Sequence, residues 1–185
     1  MTTARLTIGR RRFLSAGAAG LIGVALGPGR ARAAAESPRR LRMRSIHTAE
    51  RMDVTFHDGT ALVPEALAEI DRFLRDPYTG EVHAIDPAVL DLAWSVALAA
   101  ERPLGEFEIV CGYRSPVTNA RLHAASPGGV ASNSLHLTGK DIDLRLRGLP
   151  TGGLRDVALG LGRGGVGFYP SQDFVHIDSG RRRAW

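Results

Sequence analysis

Ser134-Leu-His-Leu-Thr-Gly-Lys-Asp-Ile-Asp-Leu-Arg-Leu-Arg147 turns at Gly139 and then alternates. From Asp141 onward Ile142, Leu144 and Leu146 point one way, and Asp141, Asp143, Arg145 and Arg147 point the other, because successive side chains of a strand face opposite sides. A second strand repeats the pattern near the C-terminus. In Phe174-Val-His-Ile-Asp178, Val175 and Ile177 form one face, while Phe174, His176 and Asp178 form the other. If both apolar faces pack on the same helices, Asp143 and His176 emerge together on the opposite side of one sheet. His136 lies seven residues before Asp143, in the loop entering that strand, and Gly139 suits the turn that returns it. Two His and one Asp are ligand types that a divalent transition metal takes while one position stays open for chemistry.

Working outward, the pattern predicts two short strands between residues 45 and 56 around Thr48-Ala-Glu-Arg51, with His47 and His57 as surface residues. A helix over 64–74 carries Leu67, Ile70 and Leu74 at helical spacing. Asp86-Pro87 caps and starts a second helix, whose Val89, Leu90, Ala93, Trp94, Ala97 and Leu98 make it a core element; Trp94 reads as packing. Residues 107–113 form a strand in which Phe107, Ile109, Cys111 and Tyr113 share a face. Ser115-Pro116 starts a third helix that ends near Ala125, and 126–133 is a loop of turn residues. A short helix follows near 154–161, then a hairpin of 164–169 with 174–178.

The N-terminus reads as an address. Arg10-Arg11-Arg12-Phe13-Leu14 precedes an apolar run of about 15 residues, short of the ~20 needed to span a bilayer. Small residues around Ala31, Ala33 and Ala35 complete an export signal, and the Arg pair followed by Phe-Leu resembles the twin-arginine type, with Gly9 where Ser or Thr is usual. We therefore expect an export signal over 1–33, a flexible lead-in over 34–44 and one domain over 45–185, placed in the periplasm or cell envelope without a stable membrane span. The formal charge of +5 has the same origin. Six Arg and no acid precede Ala34; removing those six from 24 basic residues leaves 18 against 19 acidic ones, a net of −1. A nucleic-acid-binding function is thereby excluded from expectation.

Cys111 is the only cysteine, so no intramolecular disulfide forms, and it reads as a buried strand residue rather than a catalytic thiol. Gly139-Lys140 lacks the other parts of a phosphate-binding loop, and Gly164-Gly-Val-Gly167 lacks the context of a dinucleotide fingerprint.

Ser134-x-His136-x-x-Gly139-x-x-x-Asp143, followed by a strand bearing His176, resembles the zinc peptidases of bacterial cell walls, a group that includes D-Ala-D-Ala carboxypeptidases, murein endopeptidase K and the hedgehog signalling domain. The resemblance extends through Gly112-Tyr-Arg-Ser-Pro116, Thr118-Asn119, Asp86-Pro87, Gly180 and Trp185, and is greatest to the murein endopeptidase K branch. It implies an α+β fold: a single domain with a small antiparallel β-sheet and helices packed mainly on one face. It also implies one Zn2+ held by His136, Asp143 and His176, Arg114 as a substrate-binding residue, and peptidoglycan stem peptides as substrate. Many relatives carry Ala where this chain has Asp141, an added acid that spares every proposed ligand. The proton acceptor is either Asp173, three residues before His176, or Asp178, on the His176 face; Asp178 could equally orient a ligand His. The main expectation is an exported hydrolase cutting peptidoglycan cross-links or stem peptides. Two alternatives stand beside it: a non-catalytic wall-binding module that retains the metal, and a non-haem iron oxygenase built on His176-Ile-Asp178 with a further His.

Overall fold

The computed structural model describes residues 37–126 and 129–185; the expected export signal lies outside them. Among the described residues, no helix is long and apolar enough to cross a membrane. The elements run β1 (Arg39–Ser45), β2 (Arg51–His57), α1 (Pro64–Phe73), α2 (Pro87–Ala99), β3 (Glu106–Cys111), α3 (Pro116–Ala125), a 3-10 turn (Leu135–Thr138), β4 (Asp141–Leu146), α4 (Thr151–Gly160), β5 (Gly165–Tyr169), β6 (Phe174–Asp178) and β7 (Arg183–Ala184). The strands form one sheet in the order β2-β1-β3-β4-β6-β5-β7. Pairings are antiparallel except β1 with β3 and β5 with β7. This is the expected α+β architecture.

Alternation decides which face is covered. Leu41, Met43, Phe107, Ile142, Leu144, Val175 and Ile177 are buried together with Val89, Leu90, Ala93 and Val96 of α2 in one core. Each such aliphatic or aromatic side chain gains about 1.5–3 kcal/mol by leaving water. The helix starts follow the sequence: Asp86 accepts a hydrogen bond from the Ala88 N–H, and Ser115 from the Thr118 N–H, each with Pro in the first turn. On the opposite sheet face charges alternate across strands. Asp53 pairs with Arg40 and Arg42, Glu106 with Arg51 and Arg147, and Glu108 with Arg44 and Arg145.

Two expectations change. Residues 39–45 are a strand, not part of a flexible lead-in over 34–44, so the ordered domain begins before residue 45. Leu41, Met43 and Ser45 are buried in β1, and Arg40, Arg42 and Arg44 face the charged side. The dense arginines concealed a period-2 pattern. Secondly, β3 has an irregularity between Ile109 and Cys111: Ile109 pairs with Leu144, yet Cys111 pairs with Asp143. Such a bulge re-aims the side chains beyond it. Cys111 consequently leaves the face of Phe107 and Ile109 and is only half-buried.

Candidate metal centre

Asp143 and His176 are cross-strand partners in the β4–β6 pairing, at the middle of the sheet. His176 Nδ1 is 2.8 Å from Asp143 Oδ1. His136 reaches the same carboxylate from the 3-10 turn, with Nε2 3.2 Å from Asp143 Oδ2. Ser134 caps that turn by accepting the His136 N–H, and Gly139 ends it at φ 64. A Cβ at Gly139 would stand 2.2 Å from the Ala84 carbonyl oxygen, so the return into β4 requires glycine there. All three expected ligands are thus brought together, and all are buried.

The partners of each imidazole select the nitrogen left for a metal. His136 Nδ1 donates to the Gly112 carbonyl at 2.7 Å, leaving Nε2 toward Asp143. Asp141 Oδ1 also lies 2.8 Å from this Nδ1, but out of line with its N–H, so the contact is one of charge proximity. His176 Nε2 lies 3.2 Å from Asp178 Oδ2, leaving Nδ1 toward Asp143. Asp178 itself is fixed. Its carboxylate accepts the N–H groups of Gly165 and Gly180, and Arg183 Nη2 stands 2.7 Å from Oδ2. Burial pushes the carboxyl of Asp178 up, but these hydrogen bonds outweigh it and hold it below the usual carboxylate range.

Three buried carboxylates, of Asp141, Asp143 and Asp178, therefore surround two imidazoles. Asp141 is 0% exposed and neither of its oxygens has a hydrogen-bond partner. Such a concentration of anionic donors is costly unless a cation compensates it. Two overlapping sets of donors, Cys111–His136–Asp143 and His136–Asp141–His176, each lie within 4.8 Å of one another. Oxygen, imidazole nitrogen and sulfur donors in this number suit a divalent metal ion. Burial alone would lower the imidazole pKa values; hydrogen bonds donated to Asp143 and Asp178 instead raise that of His176 to about 9, and charge–charge attraction raises that of His136 as well.

The cluster lies in a cleft of ≈ 660 Å³ lined by Arg114, Ser134, Tyr169, Phe174 and Trp185 among others. Arg114 is 11% exposed at its side chain, with Nη2 3.9 Å from Asp143 Oδ2 and Nη1 donating to Asn119 Oδ1 at 3.3 Å. Trp185 packs its ring on His176 at 5.1 Å and donates its indole N–H to the Tyr169 hydroxyl. Gly167 makes room for this ring, since a Cβ there would meet it at 2.7 Å.

Residues 33–185 match the family described as peptidoglycan L,D-endopeptidase MepK. The chain belongs to this family. Among its relatives, the probable peptidoglycan L,D-endopeptidase MepK of Haemophilus influenzae is 36% identical over 178 residues, covering 95% of each chain. The peptidoglycan L,D-endopeptidase MepK of Escherichia coli K12 is 36% identical over 184 residues, covering 95% of this chain and 96% of that protein. No solved structure gives a significant match.

Within this MepK-family fold the two expected proton acceptors part company. Asp178 stands beside His176. Asp173 adopts φ 55 in the β5–β6 turn, with a side chain 69% exposed and a carboxylate that accepts from the Thr151 hydroxyl. Its backbone carbonyl accepts from Arg145. The structure brings Asp178, and not Asp173, to the cluster. Asp141, which lacks a hydrogen-bond partner, and the re-aimed Cys111 were not among the expected site residues. Alternation placed Asp141 on the correct face, which was the one available signal for it; nothing in the sequence announced the bulge at Cys111.

Proposed function

We propose that this chain is an exported zinc peptidase that cuts the peptide part of peptidoglycan, acting as an endopeptidase at an L–D amide bond, as the names of its relatives describe. One observation carries the reading: His136, Asp143 and His176 converge at the wall of a cleft beside a partly buried Arg114, in a chain of the MepK family. These three residues would hold the zinc. When bound, it supplies a Lewis acid and a water of lowered pKa.

The residues of the chain do the remaining work. Asp178 holds the proton on His176 Nε2, which fixes the ring and directs Nδ1 into the site. The Gly112 carbonyl does the same for His136 through Nδ1–H. Arg114, with its guanidinium at the cleft, pairs with a substrate carboxylate or a polarised carbonyl and so sets the peptide in register. Phe174, Tyr169 and Trp185 supply the apolar wall against which a stem peptide lies. Of the acids considered for proton transfer, Asp178 is the one beside a ligand. Asp173 would have to leave its Thr151 partner and approach from the strand end. The leader with Arg10-Arg11 would deliver the protein to the periplasm or cell envelope through the twin-arginine route, where the substrate is.

Incubating the zinc-loaded protein with purified sacculi and identifying the released fragments by mass spectrometry tests this reading. Fragments cut at an L–D bond, absent with chelator, are expected. Release that is indifferent to chelator, or binding without release, overturns it.

A further inference from the structure

The bulge in β3 has brought a sulfur atom to a site already rich in nitrogen and oxygen. Cys111 pairs with Asp143 across β3 and β4. Its Sγ lies within 4.8 Å of donor atoms of both His136 and Asp143. Arg114 Nη2 stands 3.5 Å from the same sulfur and 3.9 Å from Asp143 Oδ2, so one cation faces both the sulfur and the carboxylate. A cysteine alone would mean little. Here the sulfur joins two expected ligands: His136 Nε2 and Asp143 Oδ2 already face each other at 3.2 Å, and the three residues offer donor atoms that all lie within 4.8 Å of one another.

We propose that Cys111 is a sulfur donor to the same ion that His136, Asp143 and His176 hold. The proposal rests on the zinc-peptidase reading and deepens it by changing the donor set. Coordination replaces the S–H bond by a metal–sulfur bond and passes the proton to solvent, with no change in oxidation state. Arg114 offsets the charge of the thiolate. Thiolate is a softer donor than carboxylate or imidazole, and it favours zinc over the oxygen-seeking magnesium and calcium ions. Cys111 reaches the cluster from the β3 side and is absent from the cleft lining. Water or substrate would then enter from the cleft as a fifth partner, a number to which catalytic zinc sites expand in the transition state.

The test is X-ray absorption spectroscopy on the zinc-loaded full chain, together with near-ultraviolet absorption of its cobalt-substituted form. A sulfur scatterer at about 2.3 Å from zinc and a sulfur-to-cobalt charge-transfer band are expected. Both are lost in Cys111→Ser, which still takes up one zinc. Zinc bound by nitrogen and oxygen alone in the wild-type chain overturns the proposal and leaves the peptidase reading standing. Failure of the folded wild-type chain to bind zinc overturns both. The wild-type spectrum decides the matter even if the variant does not fold.

Discussion

Asp178 stands 3.2 Å from His176 Nε2 while its other contacts are to Arg183 and two backbone N–H groups, so a carboxylate held on several sides orients the imidazole of an expected ligand. An amide in its place offers one oxygen where two are used. Asp178→Asn should lower zinc affinity or activity by about 10–100-fold, with zinc competition against a chromogenic chelator as the measurement. Unchanged affinity would remove Asp178 from the support of His176.

His136→Ala and His176→Ala should each abolish fragment release from sacculi, because each deletes one of three expected ligands. Circular dichroism should remain that of the parent chain, since neither side chain belongs to the apolar core. Zinc content by mass spectrometry of the native protein checks the cause: activity lost with zinc fully retained would assign the ion elsewhere.

The raised pKa of His176 makes a pH prediction. In chelator-treated protein, protonated His176 between Asp143 and Asp178 contributes stability that is fully present below its ordinary 6.5 and is lost as pH rises through about 9. Zinc must displace that proton. Zinc affinity should therefore climb with pH up to about 9, and the thermal midpoint should fall between 6.5 and 9 without zinc but not with it. Calorimetry in two buffers of different ionisation heat counts the protons released.

Asp76 predicts the opposite slope. Burial pushes its carboxyl up, but hydrogen bonds from Ser115, Thr118 and the Tyr78 N–H outweigh this and hold it at about 2 against an ordinary 3.8. It contributes about 2 kcal/mol of stability above its unfolded pKa, lost as pH falls toward 2. Asp76→Asn should be less stable by about that amount at neutral pH and flatter in the acid limb of urea unfolding.

Gly112→Ala tests a relay from outside the cleft. A Cβ there would stand 2.6 Å from the Leu74 carbonyl oxygen, and the same glycine's carbonyl accepts the His136 Nδ1–H. The displacement should cost about 1–3 kcal/mol and weaken zinc binding at the same time. A destabilised variant with unaltered zinc affinity would uncouple the two.

Much of this site is legible in the sequence because it depends on parity. Asp143 and His176 each sit between core aliphatics, and period-2 alternation sends both to the face opposite the apolar core. Parity fails where the backbone slips. Cys111 shares a sequence face with Phe107 and Ile109 and is turned toward Asp143 only by the bulge before it. Composition concealed β1, since arginines at 39, 40, 42 and 44 resemble a solvated tail until strand pairing separates them from Leu41 and Met43. Choosing between Asp173 and Asp178 needed the turn after Pro170, where a left-handed residue takes Asp173 out of the strand.

The Asp143–His176 pairing can also be viewed as a chelate with a fixed bite. Two donors carried on hydrogen-bonded neighbours in mid-sheet are held to an inter-strand spacing of about 4.5–5.5 Å that neither strand can alter without breaking its ladder on the other side. The third donor arrives on a short turn locked by a glycine. Ion size, rather than ligand identity alone, thereby becomes a criterion of selection. A large ion that wants six to eight oxygens would need the sheet to spread, whereas a small one fits the frame as folded.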